Sequence, residues 1–492
     1  MSDRMLARRE LIALLSTIGI GGWLGSGAGR SVAAPAASAP SPGPARADVS
    51  VRLDRDRPGA TLTSRFAGLS YEKDKLPQPM FTAGNDALLG LYRLLGPGVL
   101  RIGANAVDRC AWLGATPKLT PILPAMVDAL AGFARQVDWQ VIYGINLADN
   151  TTELAAAEAA YAVRALGDNL LAIEIGNEPD LYPHNGHRPA NWRYDDYLAE
   201  WRAMARAIAA AAPSARLAGP VAASLSTGFT LPFARDAAAQ ISLLTQHYYR
   251  ADGRAPESTL DLLLQGDPSL TQQLQSVTRA ARDDGVQLGW RMAECNSFFN
   301  GGAPNISNTY GTALWVMDFM FRCALDGCNG VNLHGGGHGP GYTPIADDKG
   351  KVVEVRPVYY GLLLFALGAQ GKNGGQNGAT TVPATVDGPA GLRFSAYGVL
   401  RDDGGVNVLM INKQAETAVD AELLLGQTTS TLEPVWLRGA DLAATSGHKL
   451  NDAPVSAQGT WTPMAKAAVP VAAQTARIHM PPASAVLLRS RP

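Results

Sequence analysis

The chain has 492 residues, a formal net charge of −1 and 47% hydrophobic residues, enough for one large core and a second, smaller one. So balanced a charge gives no support for a nucleic-acid or anionic-membrane binder, and beyond the N-terminus no segment offers the ~18 uninterrupted apolar residues of a membrane span. Cysteines stand only at Cys110, Cys295, Cys323 and Cys328. That is too sparse for a disulfide framework, and the spacing is not that of a zinc site. Buried free thiols are expected, with a Cys323–Cys328 pair across a helix end as the alternative.

Residues 1–47 read as an export signal. Arg8-Arg9-Glu10-Leu11 precedes an apolar run to Leu24, and a Pro/Ala/Ser tract ends in Ala45-Arg46-Ala47. The paired arginines suggest the twin-arginine route of a bacterium, and so a periplasmic or secreted protein. From there strand-like and helix-like segments alternate. The strand candidates are 66–72, 98–105, 139–147, 170–176, 215–221, 241–249, 286–294 and 330–334, after a first short one at 49–53. Helices are expected over 86–95, 122–136, 153–166, 194–212, 260–282, 307–325 and 357–369. Such strand–helix repetition predicts a (β/α)8 barrel over residues 66–372. A doubly wound open sheet is the runner-up, but no glycine-rich phosphate loop opens a helix after the first strand. Past residue 373, short alternating runs joined by Asp402-Asp403-Gly404-Gly405 predict a β-sandwich, completed by residues 48–65 from the N-terminal side.

A barrel gathers its chemistry at the C-terminal ends of the strands. Two glutamates end largely apolar runs there: Glu178 in LLAIEIGNEPD and Glu294 in RMAECN. A glutamate so placed belongs either to a structural ion pair or to a catalytic group. Two carboxyl groups facing across one cleft, ~5–5.5 Å apart, are what retaining glycoside hydrolysis requires. His334 and His338 in HGGGH lack the further ligands of a metal site, and no G-x-S-x-G elbow is present for an esterase. Cys295 neighbours Glu294 but faces the other way in an extended strand, so it reads as packing. Phe298, Trp112, Trp192 and Tyr182 are candidate sugar-stacking walls.

IEIGNEPDLY at 173–182 and RMAECNSFFNGGAP at 291–304 resemble the clan A retaining glycosidases and, within them, glycoside hydrolase family 79. GLSYEK at 68–73, LRIGAN at 100–105, QHYY at 246–249 and NLHGGG with GPGYTPI at 332–345 extend the resemblance. That family contains β-glucuronidases and heparanases. The resemblance implies Glu178 as acid/base and Glu294 as nucleophile. It also implies Asn177 on the sugar 2-hydroxyl, Tyr248 donating to the nucleophile, and Glu72 on the far end of the ring. Asn105 joins the substrate contacts, and Gly341 and Tyr342 the carboxylate contacts. Arg101 reads as a structural partner of a carboxylate. Phe299 stands where the family's glucuronidases place a carboxylate-binding tyrosine, which puts the exact sugar in question. The expected partner is a β-glucuronide or related glycoside, with no cofactor, metal or nucleic acid. An endo-acting, heparanase-like enzyme and a catalytically dead carbohydrate-binding protein are the alternatives.

Overall fold

The computed structural model describes residues 45–369, 379–426 and 429–490. The export signal therefore lies outside the described residues, save for Ala45 to Ala47. These open a strand, Ala45–Leu53, that pairs in parallel with Thr417–Leu424. The sandwich thus begins N-terminal of the boundary expected at residue 48.

Eight parallel strands close a barrel: β1 (Ala67–Glu72), β2 (Gly98–Gly103), β3 (Trp139–Ile145), β4 (Leu170–Ile175), β5 (Leu217–Ala222), β6 (Leu243–Tyr249), β7 (Trp290–Asn296) and β8 (Val331–Gly335). Each pairs with its chain neighbours, and β8 returns to β1. Helices cover the outside, so both faces of these strands are buried, which is why they read as nearly continuous apolar runs.

Two helical expectations are corrected. The stretch 260–282 is broken into Leu260–Leu264 and Leu270–Asp283, because Gly266 adopts φ +78° and Pro268 follows. A helix at Thr230–Ala237, not foreseen, fills the connection between β5 and β6. It is short and carries a proline in its first turn, so its periodic signal is weak.

The C-terminal region is a sandwich. A larger sheet has Ala379–Val382, Phe394–Leu400, Val406–Asn412, Ser484–Ser490 and Thr431–Arg438 as successive neighbours. It faces a four-stranded sheet holding the N-terminal strand. Val51, Val408, Met410, Leu423 and Val486 fill the space between them. The sandwich is seated on the barrel through helix Tyr310–Leu325, where the Tyr310 hydroxyl donates to the Leu437 carbonyl at 3.0 Å and Asp318 binds Lys413 and Tyr397. All four cysteines are buried free thiols. No helix among the described residues is long and apolar enough to cross a membrane.

Candidate active site

The C-terminal ends of the barrel strands open into a cleft of about 1300 Å³. Of the residues anticipated as contacts, Glu72, Asn105, Glu178, Glu294, Phe299, Gly341 and Tyr342 line it. Glu178 follows β4 in a left-handed conformation, φ +47°, and Glu294 lies within β7. One oxygen of each carboxyl group and one imidazole nitrogen of His247 all lie within 4.8 Å of one another.

The two acids are held differently. Both oxygens of Glu294 accept charge-stabilising hydrogen bonds, from Arg101 Nη1 at 2.7 Å and from the Tyr249 hydroxyl at 2.8 Å. Burial alone would raise its pKa. The His334 and His247 imidazoles, Arg101 and Tyr249 outweigh that and hold Glu294 well below the usual carboxylate range. Among the described residues the Glu178 carboxyl group is hydrogen-bonded to the His247 imidazole, Nδ1 to Oε1 at 3.0 Å, and has no cation bonded to it. Burial, reinforced by the Glu294 charge and opposed by Arg101, pushes Glu178 up to about 8. Burial pushes His247 down to about 4, so its ring is neutral near pH 7. Near neutrality the facing pair therefore combines an ionised Glu294 with a protonated Glu178. Glu178, His247 and Glu294 are close enough to share a cation, but both Glu294 oxygens already have donors and Arg101 would oppose a second positive charge. The donor set favours proton transfer over metal binding.

Arg101 is fully buried at the barrel axis and unites the site. Its Nε donates to Glu174 at 2.6 Å, Nη1 to Glu294 and to Ser70 at 3.2 Å, and Nη2 to Asn177 at 2.8 Å. The planar guanidinium fork suits several acceptors at once, whereas an ammonium offers only a point charge. Asn177 is buried beneath the cleft, its side chain engaged by Arg101 and by Asn105 at 3.1 Å. Glu72 Oε2 accepts the Ala106 N–H at 2.6 Å. Burial raises its pKa, against the neighbouring His334 and the Ala106 hydrogen bond.

The structure corrects the tyrosine. Tyr248, expected on the nucleophile, points to the outer face of β6, where its hydroxyl donates to Asp267 at 3.1 Å and its ring stacks on Phe319. Tyr249 and His247 face inward instead. The pairing of β6 with β7 shifts register between Gln246 and His247, where Ala293 is the extra residue on β7 and Glu294 comes level with His247. Tyr249→Phe is therefore expected to lower kcat/KM by ~10-fold or more, since a hydrogen bond to a charged group is worth ~1.5–3 kcal/mol. Tyr248→Phe should leave steady-state rates near wild type, and equal losses in the two variants would contradict this assignment.

The walls also differ from expectation. Phe298, Trp112, Trp192 and Tyr182 are buried away from the cleft. Its aromatic surface comes from Tyr249, Tyr342 and Phe299, the last 43% exposed. Tyr249 and Tyr342 stack with ring centres 6.0 Å apart. The amides of Gly341 and Tyr342 are engaged by the Gly339 and Gly301 carbonyls at 2.7 and 3.2 Å. A side chain at Gly341 would collide with the Gly301 carbonyl, its Cβ only 1.9 Å away. His334 lies between the acids, 3.8 Å from Glu72 and 3.9 Å from Glu294. The ring of His338 is instead 3.2 Å from the Asp347 carbonyl.

No family model matches the chain. A β-glucuronidase of Aspergillus niger is 29% identical over 306 residues, 54% of this chain and 56% of that protein. A β-glucuronidase of Neurospora crassa is 26% identical over 301 residues, 56% of this chain and 54% of that protein. The chain thus spans about half the length of the curated relatives it matches. Among solved structures, a 4-O-α-L-rhamnosyl-β-D-glucuronidase from Fusarium oxysporum 12S has the same fold, with a TM-score of 0.71 at 19% identity over 89% of this chain and 99% of that one. A family 51 arabinofuranosidase from Xanthomonas axonopodis pv. citri superposes with a TM-score of 0.66 at 16% identity, over 91% and 100% of the two chains. These sequence relatives and fold neighbours alike carry the names of glycoside hydrolases.

Proposed function

We propose that this chain is an exported, retaining glycosidase that acts from the end of its substrate and releases terminal β-linked glucuronic acid or a close relative. The observation that carries the reading is the facing pair, Glu178 and Glu294, with one carboxyl oxygen of each within 4.8 Å of the other; the surroundings favour the proton on Glu178 and the charge on Glu294. So close an approach of single oxygens supports the ~5–5.5 Å spacing of a retaining pair over the ~6.5–9.5 Å that leaves room for a water in an inverting one.

In the first step Glu294 attacks the anomeric carbon, the glycosidic bond breaks, and Glu178 passes its proton to the departing oxygen. Arg101 and Tyr249 hold the attacking carboxylate in one orientation. Once Glu294 is esterified its charge is gone, and with it one of the influences raising the pKa of Glu178. Glu178, now ionised, takes a proton from water, and the resulting hydroxide displaces the sugar from Glu294. One residue thereby serves as acid and then as base. The β-glucuronidase names of the relatives support the choice of sugar.

Hydrolysis of aryl glucuronide, methyl glucuronate, glucoside, galacturonide and xyloside tests the proposal, with the glucuronide expected to lead. Phe299→Tyr should raise preference for the free glucuronide over its methyl ester by ~10-fold or more, because it restores a donor to a charged group. An unchanged ranking would show that Phe299 does not select the substrate, and no turnover of any glycoside would end the enzymatic reading.

A further inference from the structure

Asp108 does not line the cleft, yet its carboxylate braces the arm that carries Glu178. It lies on the short turn Val107–Arg109 after β2 and is 3% exposed. Its Oδ1 accepts the backbone N–H groups of Leu147 and Ala148, just past β3, at 2.9 and 3.2 Å. Its Oδ2 accepts the backbone N–H of Asn177 at 3.2 Å and the hydroxyl of Tyr182 at 2.8 Å. One buried carboxylate therefore ties together the loops that follow β2, β3 and β4.

The loop after β4 needs such support. Gly176 adopts φ +82° and Glu178 φ +47°, so left-handed residues flank Asn177, and one of them is not glycine. Such a conformation persists only where its surroundings over-determine it. The Gly176 amide donates to the Ile145 carbonyl at 2.7 Å and the Glu178 amide to the Val221 carbonyl at 2.9 Å. Asp108 takes the amide between them. It also fixes Tyr182, whose hydroxyl approaches so closely that a Cβ at Gly176 would lie 2.6 Å from it. The nucleophile is held by other groups, Arg101 and Tyr249.

We propose that Asp108 is the positioning residue of the acid/base arm, setting the direction in which Glu178 presents its proton to the leaving oxygen. This rests on the reading of Glu178 as the acid/base. Losing Asp108 then harms proton donation more than nucleophilic attack, so the damage depends on how much help the leaving group needs.

The test compares Asp108→Asn and Tyr182→Phe with wild type on aryl β-glucuronides running from a dinitrophenol to an unsubstituted phenol. Asp108→Asn is expected to lower kcat/KM on the phenyl glucuronide by ~10–100-fold, part of the ~10²–10⁴-fold that general acid catalysis supplies. On the dinitrophenyl glucuronide, whose phenolate leaves unaided, the change should be much smaller. Tyr182→Phe removes one donor from the same carboxylate and should give a weaker version of the same pattern, which decides the matter if Asp108→Asn does not fold. A loss that is equal across the series, or absent, overturns the assignment. A wild type that cleaves none of these glycosides overturns the parent reading of Glu178 as well.

Discussion

Glu178→Gln is expected to lower kcat on a phenyl β-glucuronide by ~10²–10⁴-fold, the usual contribution of a positioned general acid. The same change should erase the high-pH limb of the rate profile. Glu178 must carry its proton to act, and burial together with the Glu294 charge pushes it up to about 8. The wild-type rate should therefore fall as pH rises through about 8. Glutamine has no proton to lose over this range, so the residual activity of the variant should not follow that decline. Steady-state rates across the alkaline range check both statements. A variant that keeps either the rate or the limb would remove Glu178 from the acid role.

Arg101→Met should be the most damaging change away from the reacting carboxyls. It would leave Glu174 and Glu294 buried without their guanidinium partner, and breaking a buried pair costs ~3–5 kcal/mol. A large drop in thermal unfolding temperature is expected. Arg101→Lys restores the charge but not the fork that reaches Glu174, Glu294 and Asn177 together. It should recover much of the stability while kcat stays ~10–100-fold down, as expected for a lost charge-assisted hydrogen bond on the nucleophile. Equal recovery of stability and kcat would reduce Arg101 to a purely structural group.

What the sequence reveals and conceals follows from the physics of a barrel. The proposed catalytic pair is legible because each glutamate ends an apolar run, and a closed parallel sheet brings strand ends together. The inward tyrosine is not legible. Both faces of β6 are buried, so LLTQHYY shows no polar–apolar alternation to say which of Tyr248 and Tyr249 points in. His247 shares a face with Tyr249, and spacing of two along the strand was the signal that could have paired them. Asp108 sits in a short turn with no motif around it, and its role exists only through the backbone amides that fold brings to it. The aromatic walls are hidden for a related reason, since Phe298 and Phe299 are adjacent in sequence and, of the two, Phe299 reaches the cleft.

The central claim, that Glu294 and Glu178 form a retaining pair, is tested most directly by proton NMR of the sugar as the wild-type enzyme first releases it from an aryl β-glucuronide. The account predicts that the β-anomer accumulates first and gives way to the α-anomer only at the pace of spontaneous mutarotation. Appearance of the α-anomer first would mean single displacement by water and would contradict it.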